Sequence, residues 1–196
     1  MDEQLKAGLI VESKSRYTMP CFYIPKKDSL LRLVQDYRKL KQIMIKDKTL
    51  LPLIEEMIDK LKKAKYFNKL DLIWEYNNVW IKKGDEWKAM FLTNKGLFKS
   101  QVMYFRLCNS LGTFQRMMNS IFQKLLHEEV LANYIDNFII PAKTMEELEE
   151  RMIRFLKIAE KYNLCFKRLK CDFNMEEIPI LGVIVGKRQV KIEQDK

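Results

Sequence analysis

The chain has 196 residues, 47% of them hydrophobic, 11% aromatic and 32% charged, and a formal net charge of +10. That much apolar material excludes a wholly disordered chain and suffices for one large domain or two small ones sharing a core. No run approaches the roughly 20 apolar residues that span a bilayer, and MDEQLKAG has neither the basic nor the apolar region of a secretory signal. An intracellular protein with no membrane partner is expected. Cysteines stand apart at Cys21, Cys108, Cys165 and Cys171, with no CxxC pair, and His127 is the only histidine. Neither a zinc site nor a disulfide framework is therefore expected. The basic excess is uneven: residues 1–98 hold 20 Lys+Arg against 13 Asp+Glu, residues 99–196 hold 16 against 13. The first half is the better candidate for contact with a polyanion.

In chain order, MPCFYIP (19–25) reads as an extended run bounded by Pro20 and Pro25, followed by a hairpin through KKDSLLRLV that turns at Asp28-Ser29. Pro52 opens a helical pattern with Leu53, Ile54, Met57, Ile58 and Leu61 on one stripe, closed by Lys60, Lys62, Lys63 and Lys65. YFNKLDLIW is β-rich with Asp71 inside it. Phe114, Met117, Met118, Ile121, Phe122, Leu125 and Leu126 predict one further helix, with core packing as the role of its stripe. LANYIDNFII places Asp136-Asn137 between two short apolar runs, which predicts a tight β-hairpin turning on those two polar residues. Thr144 and Glu147 form a capping-box pattern ahead of a helix that buries Leu148, Met152, Phe155, Leu156 and Ala159. Strand-like CFKRL, IPILGVIV and QVKIE follow. The fold class is α+β, an antiparallel sheet with helices packed on one face.

Two acidic residues stand in unusual places. Asp71 lies within an apolar strand and Asp136 at a hairpin tip. An ionised carboxylate in apolar surroundings is costly unless it is paired or metal-bound. Two strands of one sheet can bring distant carboxylates together around divalent cations, for which oxygen ligands are suited. On the residues alone, a plain turn at Asp136-Asn137 and a strand-end polar residue at Asp71 remain an open alternative.

Six ordered motifs carry a resemblance that runs from about Leu5 to about Val190. IPKKDSLLRLVQDYRKL, KLDLIWEYNNVWIKKGDEWKAMFLTNKGLF, VMYFRLCNSLGTFQRMMNSIF, YIDNFII, KCDF and ILGVIV resemble, in that order, the blocks of reverse transcriptases from gypsy-type LTR retrotransposons. The resemblance implies a fingers portion over residues 1–65 and a palm over 66–196 with a fingers insertion near 80–105. Thumb, RNase H and integrase segments are not expected in the chain. It implies RNA-directed DNA polymerisation on an RNA or DNA template–primer with dNTP, assisted by two Mg2+ (or Mn2+) ions. Asp71 and Asp136 match the metal ligands, and Asn137 stands at the third catalytic position. Lys26 and Arg32 match residues that close on the triphosphate. Tyr76 matches the aromatic under the sugar. Phe105 and Gln115 match positions near nucleotide and template. Leu181 and Gly182 match the primer-grip turn, and Lys170 matches a basic residue beside it.

The departures from the family pattern cluster on the chemistry. Asn137 replaces the second Asp of YxDD and removes one formal charge. Glu75 stands where a small residue precedes the sugar-packing Tyr76. Arg106 replaces a glycine, Tyr104 a proline, Leu111 and Gly112 a Pro-Ala pair, Ser29 a glycine and Lys41 an asparagine. Glu75 and Arg106 are candidates for a compensating ion pair. A retained fold with weakened or lost polymerase chemistry is expected. The alternative is a catalytically dead nucleic-acid-binding remnant or a repurposed interaction module.

Overall fold

The computed structural model describes residues 2–14, 18–25, 31–47, 49, 51–73, 79–104, 109–186 and 189–192, with backbone alone at 31–33 and 192. The chain begins with α1 (Asp2–Lys6), β1 (Ile10–Glu12), β2 (Cys21–Pro25), β3 (Leu31–Gln35) and α2 (Arg38–Ile43). Then come α3 (Ile54–Leu61), β4 (Tyr66–Asp71), β5 (Met90–Thr93) and β6 (Gly96–Ser100). α4 (Ser110–Ile121), α5 (Gln123–His127), β7 (Ala132–Tyr134), β8 (Asn137–Ala142) and α6 (Met145–Lys161) follow. The last strands are β9 (Asp172–Met175), β10 (Glu177–Ile180), β11 (Val183–Gly186) and β12 (Gln189–Ile192). No helix among the described residues is long and apolar enough to cross a membrane.

The chain divides into two compact units, Met1–Lys48 with Tyr76–Leu111, and Thr49–Glu75 with Gly112–Lys196. In the first unit, β1, β6 and β5 form an antiparallel sheet, and Ile10, Phe91 and Phe98 are buried together on it. β2 and β3 pair as a hairpin that sets Pro25 opposite Leu31. The predicted turn at Asp28-Ser29 lies outside the described residues. Helix α3 belongs with the second unit because Met57 and Leu61 pack against Phe67 and Ile139.

The second unit is built on an antiparallel sheet ordered β7-β8-β4-β9. β4 and β8 are its central pair, in unbroken register from Tyr66 opposite Ala142 to Asp71 opposite Asn137. Because side chains alternate along a strand, Phe67, Lys69 and Asp71 share one face with Asn137 and Ile139. Asn68 and Leu70 share the other with Phe138 and Ile140. α6 packs on the second face, where Phe138 and Phe155 lie 5.6 Å apart between ring centroids and Phe122 stacks on Phe155 at 4.8 Å. On the first face, α3 and the β10-β11-β12 sheet cover Phe67 and Ile139. Lys69 reaches across that face to donate to the Pro179 carbonyl at 2.8 Å. The far end of the face, with Asp71 and Asn137, carries the polar groups.

α6 opens as its sequence requires. The Thr144 hydroxyl accepts from the Glu147 amide at 3.2 Å, while the Glu147 carboxylate accepts from Lys143 N at 2.7 Å and pairs with Arg151. Thr144→Ala is expected to lower stability by about 1 kcal/mol in urea titration, because it leaves first-turn donors unsatisfied; Thr144→Ser is expected to retain most of it.

Three expectations give way. The single helix predicted through Leu126 is two, since Phe122 leaves helical geometry (φ −102°, ψ 17°) where its ring stacks on Phe155. CFKRL is not a strand: Phe166 makes one bridge to Leu72, and residues 168–170 form a 3-10 turn with Leu169 95% exposed. Leu156 is exposed, because the buried stripe of α6 runs through Leu148, Phe155 and Ala159 and Leu156 falls beside it.

Candidate metal and nucleotide site

β4 delivers Asp71 at its last position, and both flanks of the backbone there are hydrogen-bonded. Leu72 N donates to the Asp136 carbonyl at 3.1 Å, Lys167 N to the Asp71 carbonyl at 2.8 Å, and Ile73 N to the Cys165 carbonyl at 2.8 Å. The strand end is thereby fixed between the Asp136 segment on one side and residues 165–167 on the other. Asp71 and Asp136, 65 positions apart in the sequence, become neighbours across one ladder.

The hairpin that carries Asp136 turns one residue earlier than the sequence predicts. Tyr134 and Asn137 close it as a cross-strand pair, so Ile135 and Asp136 are the turn residues and Asn137 is the first residue of β8. Ile135 has φ +58°. A two-residue hairpin with positive φ at its first position favours glycine there. A β-branched residue in that region costs on the order of 1–2 kcal/mol.

The charges are arranged asymmetrically. The Asp71 carboxylate is 12% exposed and its Oδ2 lies 3.2 Å from Lys170 Nζ, on a side chain that is 55% exposed. Asp136 is partly buried, and its Oδ1 accepts from the Asn137 amide nitrogen at 3.0 Å. Among the described residues no three or more acidic, histidine or cysteine side chains cluster as a metal site. Two carboxylates and an amide, all of them oxygen-bearing, still make a donor set suited to a hard divalent cation. The Lys170 ammonium already places one positive charge there.

Of the other candidate positions, Gln115 reaches the turn that carries Asp136 and Lys170 reaches Asp71. Gln115, expected near nucleotide and template, is fully buried on α4. Its Oε1 accepts from Ile135 N at 2.8 Å, and its Nε2 donates to Asn119 Oδ1 at 2.9 Å and to Asn133 Oδ1. Lys170, expected beside the Leu181-Gly182 turn, ends on Asp71. That turn itself links β10 to β11 with φ +49° at Leu181 and +83° at Gly182, the second of which suits glycine. Arg32 lies on β3 opposite Ile24, its side chain outside the described residues. Lys26, Tyr76 and Phe105, and the candidate pair Glu75 and Arg106, also lie outside them. Sequence reasoning passed over Asn133, a polar residue that is 4% exposed inside an apolar run. Its one visible signal is that a buried amide needs a partner.

A sequence model of the family "Reverse transcriptase (RNA-dependent DNA polymerase)" matches residues 24–185. The chain is 30% identical over 188 residues to the transposon Tf2-7 and Tf2-3 polyproteins of Schizosaccharomyces pombe, a match covering 96% of this chain and 14% of each polyprotein. It thus spans about one seventh of those relatives. In structure it is similar to the foamy viral protease-reverse transcriptase in complex with RNA/DNA hybrid, with TM-score 0.89 and 19% identity over 97% of this chain and 25% of that one. It is also similar to the native prototype foamy virus protease-reverse transcriptase, with TM-score 0.84 and 17% identity over 97% and 25%. With the family model matched over residues 24–185 and transposon polyproteins 30% identical across 96% of its length, the chain belongs to the reverse transcriptase family, as a domain of the kind found in LTR retroelements.

Proposed function

We propose that this domain binds a primer–template and dNTP, holds divalent cations between Asp71 and Asp136, and supports RNA-directed DNA polymerisation weakly because Asn137 has replaced a carboxylate. The observation that carries the reading is the β4–β8 register, which sets Asp71 opposite Asn137 with Asp136 in the adjoining turn. The backbone bonds on either side of Asp71 hold its carboxylate ready. Mg2+ or Mn2+, when bound, supplies charge neutralisation at the transferred phosphoryl group and activation of the primer 3′-hydroxyl. Lys170 would contribute positive charge beside Asp71. Asn137 donates to Asp136, which occupies one of that carboxylate's oxygens and adds no charge of its own. The basic excess of the chain suits phosphate backbones. The foamy viral neighbours are in complex with RNA/DNA hybrid and with double-stranded DNA, which supports the same ligand class here.

Fluorescence anisotropy on a labelled RNA/DNA primer–template, run over a salt series and paired with primer extension, tests this. Binding is expected to fall steeply as salt rises, with extension at trace level in Mn2+. Robust extension in Mg2+ would remove the claim of weakened chemistry. Absence of binding even at about 50 mM salt would overturn the nucleic-acid reading and favour a repurposed interaction module.

A further inference from the structure

We infer that Gln115 is a positioning residue whose side-chain amide, together with Asn133, holds Ile135 in the left-handed conformation that presents Asp136. Both backbone polar groups of Ile135 are held by side chains of one network. Its N–H donates to Gln115 Oε1 at 2.8 Å, and its carbonyl accepts from Asn133 Nδ2 at 3.3 Å. Gln115 and Asn133 are joined to each other, and Gln115 is tied to Asn119 on the next turn of its own helix. The Gln115 carboxamide thus uses its oxygen and both N–H groups, and it does so at 0% exposure. A buried glutamine whose oxygen accepts from the turn and whose amide group is held by Asn119 and by the Asn133 that also serves the turn does more than fill space.

The need for such a clamp follows from the sequence of the turn. Asp and Asn are the favoured residues of a tight turn, and they occur at 136–137. The chain instead turns on Ile135 and Asp136, with a β-branched residue at the position that favours glycine. Relaxing Ile135 to negative φ would redirect the peptide leading into Asp136 and break the Tyr134–Asn137 closing pair. The clamp opposes that relaxation from helix α4, outside the ladder. Its consequence for cation binding rests on the proposed function; its effect on the turn does not.

The test is a double-mutant cycle on the full chain with two readouts, exchange of the Ile135 amide followed by NMR and Mn2+ affinity followed by electron paramagnetic resonance. Gln115→Leu is expected to speed Ile135 exchange, and to weaken Mn2+ binding, by about tenfold each, while amides within β4 keep their protection. The same substitution in an Ile135→Gly background is expected to weaken Mn2+ binding less than about threefold, because glycine adopts positive φ without steric penalty. Equal losses in the two backgrounds would overturn the proposal and leave Gln115 as core filling, as would unchanged Ile135 exchange. Should Gln115→Leu fail to fold, Asn133→Ala in the same two backgrounds gives the same comparison. If the parent chain binds no Mn2+, the metal reading fails, and Ile135 exchange still decides the clamp.

Discussion

Replacing Asn137 by Asp is expected to tighten Mn2+ binding by about 30-fold while lowering the stability of the metal-free domain. Asn137 sits directly opposite Asp71, and its amide donates to Asp136 at 3.0 Å. A carboxylate there would add one charge within reach of the same cation. At ~4 Å and an effective dielectric of ~20, one unit charge is worth about 4 kcal/mol. Solvent at this partly exposed site removes about half of that, and the remaining ~2 kcal/mol corresponds to about 30-fold in affinity. Without metal the sign reverses. Like charges directly opposite in an antiparallel pair are destabilising by up to about 1 kcal/mol, and the hydrogen bond to Asp136 is lost as well. Urea titrations with and without Mn2+ should therefore move in opposite directions for this variant. An unchanged Mn2+ affinity would show that the missing charge is not what limits the site.

The sequence read the scaffold of this site more fully than the site. Helical periodicity located α3 and α6, a β-rich run and a short apolar run located β4 and β8, and Thr144 marked a cap that forms. These are local signals, carried by residues within one or two turns of each other. The motif order also paired Asp71 with Asp136 across 65 positions. What stayed hidden depended on single long-range hydrogen bonds. The resemblance marked Gln115 as a position near nucleotide and template, but its bond from Ile135 N, 20 positions away, had no signal in the sequence. Lys170 is 99 positions from Asp71, and nothing in KCDF announces that contact. The turn slipped by one residue because turn propensity favours Asp-Asn, whereas the buried amides favour Ile135. CFKRL misled for a related reason. It read as strand-like from its composition, but its backbone bonds only flank the end of β4, Lys167 N to the Asp71 carbonyl and the Cys165 carbonyl to Ile73 N.

Phe155→Ala is expected to lower the stability of the domain by about 3–5 kcal/mol, the range for removing a large aromatic from a close-packed core. Phe155 is fully buried. Its ring stacks on Phe122 at 4.8 Å with 10° between planes, and meets Phe138 at 5.6 Å and Phe166 at 5.5 Å. Neither Phe138 nor Phe166 is remote from the site. Phe138 follows Asn137 on β8, and Phe166 bridges Leu72, the residue after Asp71. The aromatic cluster therefore underlies both segments that carry the carboxylates. Loosening it is expected to free the Leu72 and Ile73 amides for exchange before the rest of β4 opens. Phe155→Leu, which keeps most of the volume, is expected to cost about 1–1.5 kcal/mol. Ile153→Ala on the same helix, at a position 54% exposed, is expected to stay within about 0.5 kcal/mol. Urea midpoints for the three variants at constant slope would establish that order. Equal losses at Phe155 and Ile153 would mean that α6 does not bury the face of the sheet that lies behind Asp71 and Asn137.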